Sequence, residues 1–393
     1  MNFILIVFTF LLYGFIRNKR NAINRFLTIE TIVLVVVSGL RHPSVGNDTY
    51  NYLYLLKDSR YDNIDGLLSS FFDGFMSTEY TFRDPGYWLF QTLFAKITTE
   101  QIPFLLTIAV ITLVPFACFN KRFLHKLNYI LFSYVLFICL LYSNFPNQFV
   151  RQCCAFSFMC IGYISLSNNK NLKFIILTLI ASTFHKSALI LIVFYVIYKY
   201  IPAKYYLLLG YIGFFTLLFV PTLAITLMGD AGEIYVGYFN VETDKSVIIV
   251  FFLAFLYLMV THLILSKQFS IQENKLQLCG VCVLFMLTPS IYIASTAFRI
   301  ISYFLVWDCV LIPQIIDKYS QKRVLLVALY IILLYKSYPR NNDFRYFYWE
   351  DLKLHDMYTK LDVCDKCIKK DYININNMVC YATKNINYYN NVQ

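Results

Sequence analysis

Long apolar runs separated by short polar loops set the pattern of this chain. Apolar-rich runs of at least fourteen residues lie near 2–16, 26–40, 102–119, 127–143, 150–167, 204–228, 247–266, 276–294, 297–316 and 324–338. A run of roughly 20 such residues spans the hydrocarbon core of a bilayer as a helix. No water is present there to satisfy peptide groups, so the backbone must bond to itself. Segment 172–200 is 29 residues long, too long for one ordinary span, with His185 and Lys186 at its middle. It is either one overlong helix with buried charge or two half-helices meeting at a membrane face. The pattern predicts an all-α fold, a polytopic integral membrane helical bundle of about 11–12 spans within residues 1–338. Residues 339–393 form a polar tail rich in Asn, Tyr and Lys.

Composition agrees. The chain of 393 residues is 59% apolar and 15% charged, with a mean hydropathy of +0.57; soluble domains carry about 25% charged residues. The start, MNFILIVFTFLLYGF followed by RNKR, has its charge after the apolar stretch and no small-residue cleavage site. It reads as a retained first span. The net charge of +11 is scattered between apolar runs, not gathered in a stripe, so it speaks for membrane topology and against nucleic acid. Most of the 11 cysteines lie in apolar runs as small hydrophobes. Vicinal Cys153–Cys154 is too strained for a routine bridge. Cys364 and Cys367, with Cys380 following, lack the second pair or His of a zinc site and read as bland or locally bridged.

Charge then resolves segment 172–200. Short basic loops occur at Arg17/Lys19/Arg20/Arg25, Lys121/Arg122/Lys126, Lys170/Lys173, Lys199/Lys204, Lys267/Lys275 and Lys318/Lys322/Arg323, whereas loop 229–246 is acidic. A broken pair of half-helices puts all six basic loops on the cytoplasmic side, as the positive-inside rule requires; a single span breaks the rule three times. Arg41, Asp48, Arg83, Asp84, Arg151, His185 and Arg299 then all fall at the outer face. Arg151, His185 and Arg299 each open a helix running inward, where unpaired N–H groups and the macrodipole favour anions. Three such ends with cations on one face read as an anion site, and a lipid diphosphate is the obvious anion there.

Loop 41–101 is the longest external segment. Asp84-Pro85-Gly86 marks a helix start, with Asp at the N-cap and Pro at N1, and the helix near 85–98 is expected along the interface or dipping between spans. Each polar motif also has a plainer reading. Arg41 can snorkel to the headgroups, and Pro43 and Gly46 fold Asp48 back toward it as a structural pair. Arg151, beside Gln152, opposes the helix dipole and needs an anionic partner, which a lipid phosphate would supply without catalysis. His185 sits at the break, with Lys186 and Ser187 placed to cap the second half-helix; a histidine there is a core residue or a general base. Arg299 is the only charge between Lys275 and Asp308, the best placed for diphosphate binding. No D-x-D, P-loop, G-x-S-x-G or H-E-x-x-H occurs, so no metal ligand set and no cofactor is expected, and a sugar-nucleotide transferase is disfavoured.

Taken in order, R-x4-G-x-D-x3-Y (Arg41, Gly46, Asp48, Tyr52), R-D-P-G-Y (83–87), R-Q (151–152), H-K-S-A-L (185–189) and R-I-x-x-Y-F (299–304) resemble the EpsG family. That group of polytopic bacterial membrane proteins includes Wzy-type polysaccharide polymerases. The resemblance implies a glycosyltransferase in the bacterial cytoplasmic (inner) membrane, acting on its extracytoplasmic face. Its substrate would be oligosaccharide repeat units on polyprenyl diphosphate, polymerised in capsule, exopolysaccharide or O-antigen biosynthesis. Partners would be that lipid-linked oligosaccharide, membrane lipids, and a chain-length regulator and flippase of the same pathway. Arg151 and Arg299 would hold the diphosphate with help from Arg41, and His185 or Asp48 would serve the acceptor hydroxyl; Arg83, Asp84, Gln152 and Lys186 complete the candidate substrate-binding set. The competing functions are a flippase or exporter, a glycan ligase, and an acyltransferase with an intramembrane His. An outward His185 disfavours the last.

Overall fold

The computed structural model describes residues 2–41, 49–71, 84–143, 145–228, 244–290 and 297–319. Among them the chain forms fourteen α-helices and no strand. They are α1 (Asn2–Ile16), α2 (Ala22–Gly39), α3 (Thr49–Asp58), α4 (Ile64–Ser69), α5 (Pro85–Ile97), α6 (Gln101–Phe123), α7 (Leu127–Leu140), α8 (Val150–Ser167), α9 (Asn171–Phe184), α10 (Ile190–Tyr200), α11 (Tyr206–Met228), α12 (Asp244–Leu265), α13 (Lys275–Leu287) and α14 (Ala297–Lys318). This is the all-α membrane bundle that the apolar runs predict.

Among the described residues, length and apolarity alone qualify α2, α6, α8 and α14 as full spans, while the segments starting at Lys186 and Ala203 form a pair bent by 116°. Helices α1, α7, α9 and α13 and residues 250–265 of α12 are apolar but shorter. The expected span near 324–338, and the tail with Cys364, Cys367 and Cys380, lie outside the described residues.

Lipid-facing side chains stand out: Leu11, Phe15, Leu172, Phe251 and Leu265 are each more than two-thirds exposed. In water such a surface would associate; against acyl chains it is the ordinary outer face of a bundle. The share of each span buried in the protein decides what is central: 83% for α14 and 78% for α8, against 39% for α2. The two candidate arginines Arg151 and Arg299 are thus carried by the two most enclosed spans.

Apolar burial drives little association between helices already in lipid, so close packing must. Gly280 on α13 lies flat against the Trp307 indole of α14, where an added Cβ would stand 2.2 Å from Trp307 Cδ1. That indole is enclosed by Phe119, Phe123 and Tyr163, with ring centroids 4.8–5.2 Å away. One small residue thereby lets three helices close on a single large ring.

Polar contacts sort the helix ends into two sets. At one end Arg122 Nε donates to Ser167 Oγ at 2.9 Å, Lys126 pairs with Asp317 at 2.7 Å, and Lys318 Nζ reaches the Gln268 carbonyl at 3.1 Å. Lys275 there lies over the Tyr198 ring. These contacts bring the basic stretches at 122–126, 268–275 and Lys318 to one end of the bundle. Arg41, Asp84, Arg151, His185 and Arg299 sit at the opposite helix ends.

Candidate active site

The structure breaks segment 172–200 at His185. Helix α9 stops at Phe184, His185 is extended (φ −158°, ψ 113°), and a 3-10 turn over Lys186–Leu189 leads into α10. No Gly or Pro forces this break; tertiary partners hold it. The Lys186 N–H, orphaned at the start of the 3-10 turn, donates to Asp84 Oδ1 at 3.3 Å. His185 Nδ1 bonds Ser187 Oγ, which donates to Tyr303 Oη on α14 at 3.3 Å. Neither Lys186 nor Ser187 caps the half-helix through its side chain, as the sequence had suggested. The cap comes from Asp84, about a hundred residues earlier.

Asp84 also departs from its expected part at α5. It stands at the N-cap with Pro85 at N1, but its side chain makes no capping bond; the backbone carbonyl of Asp84 accepts from the Tyr87 and Trp88 amides instead. The carboxylate turns inward, where Oδ2 accepts from Arg151 Nη1 at 2.6 Å. Both side chains are buried, 8% exposed for Arg151 and 2% for Asp84. Arg151 Nε donates to Tyr52 Oη of α3 at 3.0 Å. The anionic partner that the dipole demands of Arg151 is therefore internal, and lipid phosphate is not needed to explain the residue.

One residue further along α8, the Gln152 amide nitrogen donates to the Arg299 carbonyl and to Ser302 Oγ at 2.9 Å. Gln152 thus fastens the start of α14 to the start of α8, a structural bond the sequence did not indicate. The Arg299 guanidinium lies over the Phe149 ring at 5.3 Å, so it borders the site from the α14 side. The openings of α8, α14 and the 3-10 turn are thereby joined through Asp84, Gln152 and the His185–Ser187–Tyr303 chain.

Arg41 forms a second layer. It is 1% exposed and its Nη1 donates to the Ser38 carbonyl at 2.7 Å and Ser38 Oγ at 3.3 Å. Ser38 Oγ donates to Asn147 Oδ1, Asn147 Nδ2 to the Tyr142 carbonyl, and Thr49 Oγ1 to the Asn147 carbonyl. These bonds tie α2, α3 and the link before α8 together. Burial lowers the Arg41 guanidinium to about 10, against the raising effect of nearby Cys153 and Tyr142, so it stays cationic at neutral pH. Simple snorkelling is excluded for a side chain this enclosed.

Asp48 and Arg83 lie outside the described residues. Tyr52, Ser187, Tyr303, Ser302 and Asn147 were not singled out as site residues from sequence. For Tyr52 and Tyr303 the signal was present, since both fall inside the ordered motifs. Helix α5 is not a detached interfacial helix: Pro85, Gly86, Tyr87, Gln91, Thr92 and Ala95 are buried, and it packs on α3, α4 and α9. Cys153 and Cys154 are free and buried.

Gly86 shows why its motif needs glycine. A Cβ there would stand 2.1 Å from Thr183 Oγ1 and 3.0 Å from the Thr183 backbone carbon. Gly86→Ala is expected to push α5, and with it Asp84, off α9 at a cost of about 1–3 kcal/mol. The purified variant should melt several degrees lower, and Thr183→Gly in the same chain should recover part of the loss. Equal melting of Gly86→Ala and wild type would remove this reading.

No curated protein sequence and no solved structure matches the chain. A comparison with known protein families matches residues 24–342 to the EpsG family. That stretch takes in every motif above, from the Arg41 layer to the start of α14, and points to a polymerase-like role in exopolysaccharide biosynthesis. With more than half its length matched, and the motif residues of α3, α5, α8, the 185–189 turn and α14 drawn into one hydrogen-bonded cluster, this polytopic membrane protein belongs to the EpsG family.

Proposed function

We propose that this chain polymerises oligosaccharide repeat units carried on polyprenyl diphosphate, at the extracytoplasmic face of a bacterial cytoplasmic membrane. The observation that carries the reading is the joining of three helix openings, Arg151, His185 and Arg299 among them, at the bundle end opposite the basic loops. The positive-inside rule assigns those loops to the cytoplasm and hence the cluster to the outer face.

In the reaction an acceptor sugar hydroxyl attacks the anomeric carbon of the growing chain. The bond from that carbon to the diphosphate oxygen breaks, and the hydroxyl proton passes to a base. Charge grows on the departing diphosphate, and Arg151, Arg299 and the helix-opening amides are placed to offset it, with Arg41 adding field from the second layer. These groups supply the neutralisation without a metal. The planar N–H fork of Arg151 has the geometry that suits a phosphate oxygen.

We take His185 as the base. Ser187 gives its single proton to Tyr303. The ring must then donate from Nδ1 to Ser187 Oγ, which leaves the lone pair of the neutral imidazole on Nε2. That is the tautomer a general base requires. Asp84 is committed to Arg151 and the Lys186 amide and acts as the positioning residue.

The test is a glycan gel of a strain lacking this chain, complemented with wild type. Collapse of the long ladder to one repeat unit on its anchor without the chain, and its return with wild type, supports polymerisation. Loss of all surface glycan, the single unit included, would instead assign the chain to export or ligation.

A further inference from the structure

Between α3, α4 and α5 lies a groove of about 420 Å³, lined among others by Asp58, Ser59, Asp62, Asn63, Ser70 and Trp88. That volume is in the range of small-ligand sites. We infer that this groove is a saccharide subsite of the active centre, binding the acceptor end of a glycan whose sugars are neutral or amino-bearing. The inference rests on the polymerase reading for the word acceptor; the saccharide chemistry stands on the groove itself.

The lining has the functional groups a sugar ring needs. Carboxylates accept from paired hydroxyls, Asn63 and the serines give and take, and the indole of Trp88 offers an apolar face for ring C–H groups while keeping a polar tip. Leu55, Leu67 and Trp88 give the groove a mainly apolar wall suited to the C–H faces of a sugar ring, and a uronate or phosphate would meet the like charge of Asp58 and Asp62. Burial and neighbouring Asp62 push the Asp58 carboxyl upward from its ordinary value.

Behind Ser59, and at the Trp88 ring nitrogen, polar atoms lack partners. Gln91 is fully buried and its amide nitrogen donates to Ser59 Oγ at 2.8 Å, yet its Oε1 has no partner. The enclosed Trp88 Nε1 has none either. A hydroxyl-bearing occupant that re-orders Ser59 would change the bond open to Gln91.

Position is the remaining support. Helix α3 carries Tyr52, bonded to Arg151, and one to two turns later Asp58 and Ser59. Helix α5 starts at Asp84, bonded to Arg151, and reaches Trp88 one turn on. At 1.5 Å rise per residue the groove begins about 6–10 Å from the Arg151–Asp84 pair. A glycan in it is within reach of a donor whose diphosphate lies at Arg151.

The chain has three tryptophans, so Trp307→Phe/Trp349→Phe leaves Trp88 as the sole tryptophan, excited selectively at the red edge where tyrosine does not absorb. The full-length protein in nanodiscs would be titrated with the strain's own repeat-unit oligosaccharide, freed from its lipid carrier by mild acid. Saturable change in Trp88 emission, weakened about tenfold or more by Asp62→Asn or Asp58→Asn, is the expected result. In a parallel extension assay with the native tryptophans, the same two variants should raise KM for the acceptor about as much and leave kcat unchanged. No emission change, or unaltered KM in both variants while wild type still extends chains, overturns the groove and spares the polymerase reading. Binding by a wild-type chain that never extends glycan overturns the polymerase reading and keeps the saccharide site.

Discussion

Arg151→Ala leaves the surface glycan at a single repeat unit, and Arg151→Lys does little better. The pair it belongs to is buried on both sides, at 2.6 Å. Removing one partner of such a pair strands the other charge, at about 3–5 kcal/mol. The alanine variant alone therefore cannot separate lost folding from lost chemistry. Lysine can: it keeps the positive charge beside Asp84 but has neither the planar fork nor the Nε–H that reaches Tyr52. We expect Arg151→Lys to stay folded, with a melting temperature near wild type, while its extension rate drops about 10²–10³-fold as a donor to the departing diphosphate is lost. Asp84→Asn is the companion. It keeps the shape and the acceptor for Lys186 but drops the charge opposite Arg151, so it should leave the 185–189 turn in place while loosening the Arg151 guanidinium. Wild-type extension by Arg151→Lys would remove Arg151 from the chemistry and leave it a structural cation.

His185→Ala is expected to lower kcat for chain extension by about 10²–10⁴-fold, the usual contribution of a general base. KM for the lipid-linked unit should stay near wild type, since the ring acts only as the acceptor proton moves. Loss of the groups that hold the His185 tautomer should give smaller, graded effects. Ser187→Ala removes the partner of Nδ1, and Tyr303→Phe removes the acceptor that fixes the Ser187 hydroxyl. Each should cost about five- to tenfold in kcat, the worth of about one net hydrogen bond. A purely structural His185 gives a different outcome: His185→Gln, similar in size, would then restore extension and lower only the melting temperature in Ser187→Ala. If His185→Ala extends normally, Asp48 becomes the base to test.

Several features were readable along the chain because they depend on local rules. Apolar runs in lipid must be helices, so α2, α6, α8 and α14 fall where the runs fall. The break at His185 followed from charge counting, since only a return at that point keeps the basic loops together. Contacts such as Lys126–Asp317 and Arg122–Ser167 gather those loops at one end. The ordered motifs identified the family, because a family resemblance is itself a property of sequence.

What the line of residues did not contain was partnership. Asp84 looks like an N-cap because Asp-Pro-Gly is the local pattern of a helix start. Its carboxylate instead serves Arg151 and Lys186, 67 and 102 positions away. Gln152 looks like a substrate contact and is bonded to the start of α14, 147 positions away. The spacing of α5 left open whether it lies along the interface or dips between spans, and only the structure shows Gly86 letting it close on Thr183. The groove at Trp88 joins residues whose pattern says only that they are polar and exposed. The sequence by itself thus determined the helices, their order, the loop charges and the family. The tertiary structure alone decided which buried charge faces which. The physical reason is that periodicity fixes a residue's face on its own helix, whereas the cost of a buried charge is settled by whatever another helix brings to it.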